Sequence, residues 1–407
     1  MDGDYFGGAI KSLQLALHDF PRHLLFPYQL SWVDIAEDVF NNPENKDLVN
    51  ELPLEVFKPY NNLFHSAIEG LDEERAKLLK NNATMFAAAK TAKLMQNLIA
   101  IRRGTTDKDA FMQLARRTIN TFNRYSAAEY NTMVHRTRIV KQWEQFEAET
   151  MYPNIEWLPS RAATPDEVHR GYWNHVWAKT DPFWLNNFPG CRWGCKCSWR
   201  TTDAPPTGKG QLKPVPPSPG LEGNPYFTNE MISRNHPYYY GIPKHIPKLG
   251  VLHNPDEVVY LDYITDDNKS FQVHFLARDE FDRANSKFVP YLFNAGFKDI
   301  RFLPAIEHKK NPTIKRYFGN YAGHGCADVL ADGNYVELKE VGAGKKLLRN
   351  MKDNALEGLL KADILFIRIK GKITAQETKD FFKYVHQRRK NKKIFLINKY
   401  NEIIPSL

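Results

Sequence analysis

No stretch of this 407-residue chain approaches the roughly 18 to 20 consecutive apolar residues that a membrane-crossing helix needs, so no span is expected. The first twenty residues, MDGDYFGGAIKSLQLALHDF, carry acids early and lack a basic stretch ahead of an apolar run. That pattern argues against a secretory signal and for a chain made and folded in a cytoplasm. Cysteine is scarce, with four in all, which excludes the disulfide framework of small secreted domains. Neither an internal repeat nor a sustained heptad is visible, so solenoids and long coiled coils are excluded as well.

The charge that is present lies at one end. From Arg301 onward there are 22 Lys and Arg against 11 Asp and Glu, while the whole chain carries a net +9. The remainder is therefore slightly acidic, and any polyanion is expected to meet the C-terminal third.

Length alone favours at least two domains. Between about Glu73 and Ala148, apolar residues such as Leu78, Leu79, Met85, Phe86, Leu94, Met95, Leu98 and Ile99 recur at helical spacings, and this face reads as core or subunit contact. Gly104 is expected to end one helix, and Thr105, Thr106 or Asp107 to cap the next, which runs toward Met151. From Tyr152 to Arg200 the chain becomes Trp-rich and Pro-interrupted. Residues 203–250, dense in Pro and Gly, read as an extended linker. Beyond it, alternating strand and helix patterns over 251–407 predict an α/β (α+β) domain with a central mixed sheet: a strand at VVYLDYI, a helix from Asp279 to Ala295, and strands at Ile300–Leu303 and Ala327–Val341. Helices at Lys345–Lys361 and Thr374–Arg389, with strands ILFIRIK and KIFLINK, complete it. The fold class expected is thus multidomain: a mainly α front with an irregular Cys/His segment over 1–202, a linker over 203–250, and the α/β domain.

Three of the four cysteines, Cys191, Cys195 and Cys197, fall within seven positions, and His169 precedes them. One His and a C-x3-C-x-C run supply the soft donors of a closed, structural zinc site, with His175 as a competing nitrogen donor. The alternative is that the cysteines are buried small hydrophobes and the histidines bond locally.

The order of a helical region, then YPNIEWLPSRAATPDEVH, a Pro-Gly step and CKC resembles the phage Mu F-like head morphogenesis family, which includes the SPP1-type minor head protein. The resemblance covers roughly Leu94 to Arg200. Cys191 stands where a second His is commonly written. Membership implies a minor head protein present in few copies, placed near the phage portal and capsid proteins in the virion head or prohead and assembled in the host bacterial cytoplasm.

In HGCADVLADGNYVELKEV, Asp332-Gly333 has the form of a type I′ hairpin turn, so pairing partners sum to 665 and Asp328 faces Glu337. Lys339 then lies on the same face. Opposed carboxylates repel unless a cation or lysine neutralises them. The D...E-x-K arrangement resembles nucleases of the PD-(D/E)xK type, whose carboxylates hold a divalent ion such as Mg²⁺. The same domain also resembles the toxin nucleases of contact-dependent inhibition systems and phage heads, the barnase, EndoU, colicin and RelE-like group. That resemblance implies RNA, often tRNA, as substrate and acid-base work by His324, His308, Lys339, Arg349 or Glu337, together with an immunity protein as partner. An exposed hairpin face carrying a Glu-Lys pair is the plain alternative. Arg349, Lys383, Arg388, Arg389 and Lys390 are the candidates for gripping tRNA or DNA, or else a solvated surface. Tyr238, Tyr239 and Tyr240 suit packing among the neighbouring prolines better than base stacking.

Overall fold

The computed structural model describes residues 32–43, 52–208, 214–252, 260–305 and 325–405. The chain divides into two compact units, 1–257 and 258–407.

The first unit is built on helices α1 (Trp32–Asn41), α2 (Leu54–His65), α3 (Glu73–Gly104) and α4 (Lys108–Ala148). Asp72 caps α3 by accepting the Arg75 amide, and Glu73, Glu74 at its start and Arg102, Arg103 at its end complement the helix dipole. Asp107, the last of the three expected cap residues, accepts the Ala110 amide and starts α4. The middle of α3, from Asn81 to Ala92, is buried all round. Its one internal cation, Lys90, is held by the Glu129 carboxylate at 2.7 Å and the Phe122 carbonyl at 2.9 Å.

A small antiparallel sheet of β1 (Asn154–Leu158), β2 (Val176–Ala178) and β3 (Ser198–Thr202), in the order β2-β1-β3, follows α4. Its aromatic residues supply the core that regular periodicity does not: Trp157, Trp177, Trp184 and Trp199 pack with Trp143 of α4. The one-turn helices α5 (Glu167–Arg170) and α6 (Pro225–Thr228) lie in the connections.

The expected linker is corrected by the structure. Over 214–252 the chain is part of the first unit, with Leu221, Met231, Ile232, Ile242, Ile246 and Leu249 buried and helix α7 (Ile246–Leu252) packed on α3. Buried Arg136 of α4 donates to the carbonyls of Gly190, Leu221, Gly223 and Glu230, fixing three separate bends at once. The boundary accordingly falls at 257/258 and not at 250/251. Tyr238 stacks between Phe86 and Phe122 and donates its hydroxyl to Glu129, a packing role.

The second unit is an eight-stranded mixed sheet whose strands lie side by side in chain order: β4 (Tyr260–Ile264), β5 (Ser270–His274), β6 (Ile300–Phe302), β7 (Val329–Ala331), β8 (Asn334–Val341), β9 (Ile364–Ile369), β10 (Lys393–Ile397) and β11 (Ile403–Pro405). β8, β9 and β10 are parallel. One face carries Phe271, Val273, Phe302, Val329, Val336, Leu338 and Phe366 against residues 281–292. The other packs Leu365, Ile367, Ile369, Ile394 and Leu396 against α10 (Leu347–Lys361) and α11 (Ala375–Arg388). α11 starts with a capping box of Thr374 and Glu377.

The single helix expected over 279–295 is instead broken into α8 (Arg278–Glu280), a π turn at Phe281–Asn285, a 3₁₀ turn and α9 (Val289–Asn294), where Pro290 sits in the first turn. Proline starts a helix readily and interrupts one it falls inside. The start of VVYLDYI, with His308 and His324, lies outside the described residues. Among the described residues no helix is long and apolar enough to cross a membrane.

Candidate functional site

The hairpin register is the one the turn dictates. Ala331 faces Asn334, Leu330 faces Tyr335 and Val329 faces Val336, with Asp332 and Gly333 at φ 46° and 78°. One residue further, the strand pairing gives way. The carboxylate of Asp328 accepts the Leu338 amide at 2.7 Å, while its own amide donates to the Val336 carbonyl.

β8 alternates, sending Val336 and Leu338 into one core and Glu337 toward α10. Glu337 is 2 % exposed. α10 approaches it at Gly358, where an added Cβ would stand 3.1 Å from the Glu337 Cγ. Lys339 Nζ lies 3.0 Å from Glu337 Oε1, and Lys361, in the last turn of α10, reaches the same oxygen at 3.6 Å. Glu337 Oε2 is buried with no hydrogen-bond partner.

Burial foremost, then the Glu337 charge, pushes the Asp328 carboxyl up to about 8, against the pull of the Leu338 amide. Glu280 of α8 adds to that push. Glu337 is likewise raised by burial, with Lys339 and Lys361 working against the rise. For Lys339, burial acts to lower the pKa, but attraction to Glu337 outweighs it and the ammonium is held above its ordinary value. An orphaned carboxylate oxygen beside a second buried carboxyl is a site that gains from a cation.

The basic candidates separate. Lys383 and Lys390 are exposed, and Arg349 is exposed with Asp353 at 3.8 Å. Arg388 instead covers the Tyr384 ring at 3.8 Å, and Arg389 donates to the Leu356 carbonyl, so both are engaged at the end of α11. Sequence reasoning missed Lys361 and Glu280. Glu357 and Lys361 are spaced i, i+4 and ion-paired, which reads as an ordinary helix-surface pair; the reach to Glu337 is tertiary.

In the first unit, α5 begins at Asp166, which caps the Val168 amide and is clamped by Arg192 at 2.6 Å. This turn delivers His169, 1 % exposed, into the bend bearing the cysteines. Its Nδ1 is 3.2 Å from Cys195 Sγ and 3.8 Å from Cys197 Sγ. Tetrahedral zinc, with bonds of about 2.0–2.3 Å, separates its donors by about 3.5–3.8 Å, so these three atoms form a donor set able to hold a metal such as zinc.

Cys191 does not join them. Its Sγ lies 3.3 Å from Nε2, the opposite ring nitrogen, so it orients the imidazole and is not a fourth ligand. His175 sits against Thr207. Burial acts to lower the His169 pKa, but its bonds to Cys191 and Cys197 prevail and raise it to about 9. Cys197 is held down to about 4, first by the Cys195 thiol and then by His169.

No family model matches the chain, and neither does any curated protein or solved structure.

Proposed function

We propose that the second unit is a phosphodiester-cleaving nuclease of the PD-(D/E)xK kind, acting on tRNA or DNA. The observation that carries this reading is Glu337: buried, one oxygen shared by two lysines, the other unpartnered, its charge bearing on a second buried carboxyl at Asp328. An ordinary surface Glu-Lys pair has no such oxygen. The sequential sheet, with a helical segment before the hairpin and α10, β9, α11 and β10 after it, supports the same reading.

Asp328 and Glu337 would hold a divalent cation such as Mg²⁺, which supplies Lewis acidity to the phosphate and lowers the pKa of an attacking water. Lys339, its pKa raised, stays protonated at neutral pH and serves as a charge donor to a phosphate oxygen, not as a base. Asp328 would shed its proton as the cation enters. The test is incubation of the chain with tRNA and with duplex DNA in Mg²⁺, Mn²⁺, Zn²⁺ and EDTA, beside a variant carrying Glu337→Ala and Lys339→Ala. Divalent-dependent cleavage lost in the variant is the expected result; cleavage in EDTA, or equal cleavage by both, would sink this mechanism. A second reading, nucleic-acid binding without cleavage, is favoured by one fact: the ammoniums of Lys339 and Lys361 both pair with Glu337 and offset its charge.

For the first unit we propose a minor head protein of the Mu F-like kind, docked to portal or capsid proteins in the virion, with zinc as a structural staple at His169, Cys195 and Cys197. A nuclease made in its host's cytoplasm calls for an immunity partner or packaging-linked restraint. The observation behind the staple is the convergence of three donors in a segment poor in regular structure. Purified chain is expected to carry about one zinc, and Cys197→Ser to lose it with a lower melting temperature of the first unit. Finding fully reduced thiols and no bound metal in freshly purified protein would remove the staple.

A further inference from the structure

The parallel strands β8, β9 and β10 end side by side, and their following loops gather charge of one sign. At the end of β8, Glu340 accepts three cations: Lys287 at 2.9 Å, Arg368 of β9 at 3.1 Å and Lys370 at 2.9 Å. One carboxylate neutralises one of them, so the group is left with excess positive charge at a part-exposed position.

The loops extend the excess. An added Cβ on Gly371 would lie 3.4 Å from the Ala343 Cα, so the loop carrying Lys370 and Lys372 rests on the loop carrying Lys345 and Lys346, all four lysines being exposed. The third loop, after β10, is tied in by Asn401, whose side-chain oxygen accepts from Arg368 at 3.1 Å and from the Tyr291 hydroxyl at 2.8 Å. That tie stands Tyr400 at the surface, 67 % exposed, with Lys399 Nζ 4.3 Å from its ring centroid. Glu402, the acid of this loop, is bonded back to Asn398.

We infer that the C-terminal ends of β8, β9 and β10 form a binding surface for single-stranded nucleic acid, with the loop lysines meeting successive phosphates and Tyr400 stacking a base. Repeating cations spread over three adjoining loops fit a repeating polyanion better than a single phosphate, which calls for convergence. An exposed ring beside them fits a strand whose base faces are open, since a duplex hides those faces. Tyr400 is the one large apolar side chain exposed in these loops among the described residues, so an apolar partner has little to grip. The inference deepens the nuclease reading by naming the substrate form, and it moves the interface away from the end of α11.

The test is binding of a short fluorescein-labelled oligouridylate to the full chain in EDTA, followed by anisotropy across a salt series. Lys370→Gln with Lys372→Gln is expected to reduce the slope of log affinity against log salt by about 1.4, at roughly 0.7 for each lost single-strand contact. Tyr400→Ala should weaken binding about tenfold with the slope kept. Lys383→Gln with Lys390→Gln should change neither quantity. Absence of binding by the unaltered chain, an unchanged slope in the loop variant, or an equal fall in the α11 variant would each overturn the inference. Equal affinity for inorganic polyphosphate with no effect of Tyr400→Ala would overturn it too. Cleavage is not the readout, so a chain that binds in this way but never cleaves defeats the nuclease reading alone.

Discussion

Arg136→Met is expected to lower the unfolding free energy of the first unit by about 3–5 kcal/mol, the scale for stranding buried polar partners of a charged group. The guanidinium is fully buried and supplies four hydrogen bonds of 2.8–3.2 Å to carbonyls lying between Gly190 and Glu230. Methionine fills similar volume but donates nothing, and the bonds it removes from the Gly190 and Leu221 carbonyls are buried ones. Arg136→Lys should recover little, because a point ammonium cannot span a planar fork of acceptors. Denaturant titration of the full chain is the measurement, with the second unit's transition as internal reference. If both transitions keep their midpoints, the bends at 190 to 230 do not depend on this residue.

Glu337→Gln is expected to reduce divalent-dependent cleavage by roughly a thousandfold, equivalent to about 4 kcal/mol of transition-state stabilisation. It should also flatten the pH dependence of the second unit's stability. Asp328 and Glu337 both have folded-state pKa values raised above those of the free side chains. Their contribution is therefore fully present below the ordinary carboxyl range, near 4, and is lost as pH rises through the folded value, about 8 for Asp328. In EDTA the melting temperature of the second unit should fall across that window, and Mg²⁺ should restore it most at the upper end. The Gln variant removes one charge and leaves Asp328 without its strongest repelling neighbour, so the fall becomes shallower and Mg²⁺ ceases to help. A pH profile and Mg²⁺ response identical in the two proteins would contradict the assignment of the cation to this pair.

What the sequence made legible was local. Asp332-Gly333 dictates a turn and the turn dictates the register as far as Val329 and Val336; the direct pairing expected of Asp328 with Glu337 gives way there, and Asp328 bonds Val336 and Leu338 instead. Asp107 marks a helix start through a bond that spans three residues. The compositional reading of 203–250 failed because Leu221, Met231, Ile232 and Leu249 have no period; the segment is held by α3, where Asn82 meets Ile232 150 residues away along the chain, and by Arg136, 85 and 94 residues from Leu221 and Glu230. Cys191 could not be separated from Cys195 and Cys197 by spacing, since the difference is which imidazole nitrogen each sulfur meets. The short strands β5 and β11 went unread because five and three residues carry too little alternation to stand out. The broken helix before β6 carried a visible warning in Pro290.

The strand order of the second unit, in which neighbours in the chain are neighbours in the sheet, bears on how the protein is made. As the polypeptide leaves the ribosome, each new strand can add to the edge of the one before it, with no earlier strand waiting for a distant partner. The hairpin carrying Asp328 and Glu337 emerges with an open edge at β8. It gains Lys361 and the cover of α10 only once that helix is out, and β9 closes the edge immediately afterwards. A nascent chain thus holds both carboxylates before it holds the site, and the producing cell meets the assembled site only after α10 and β9 have been made.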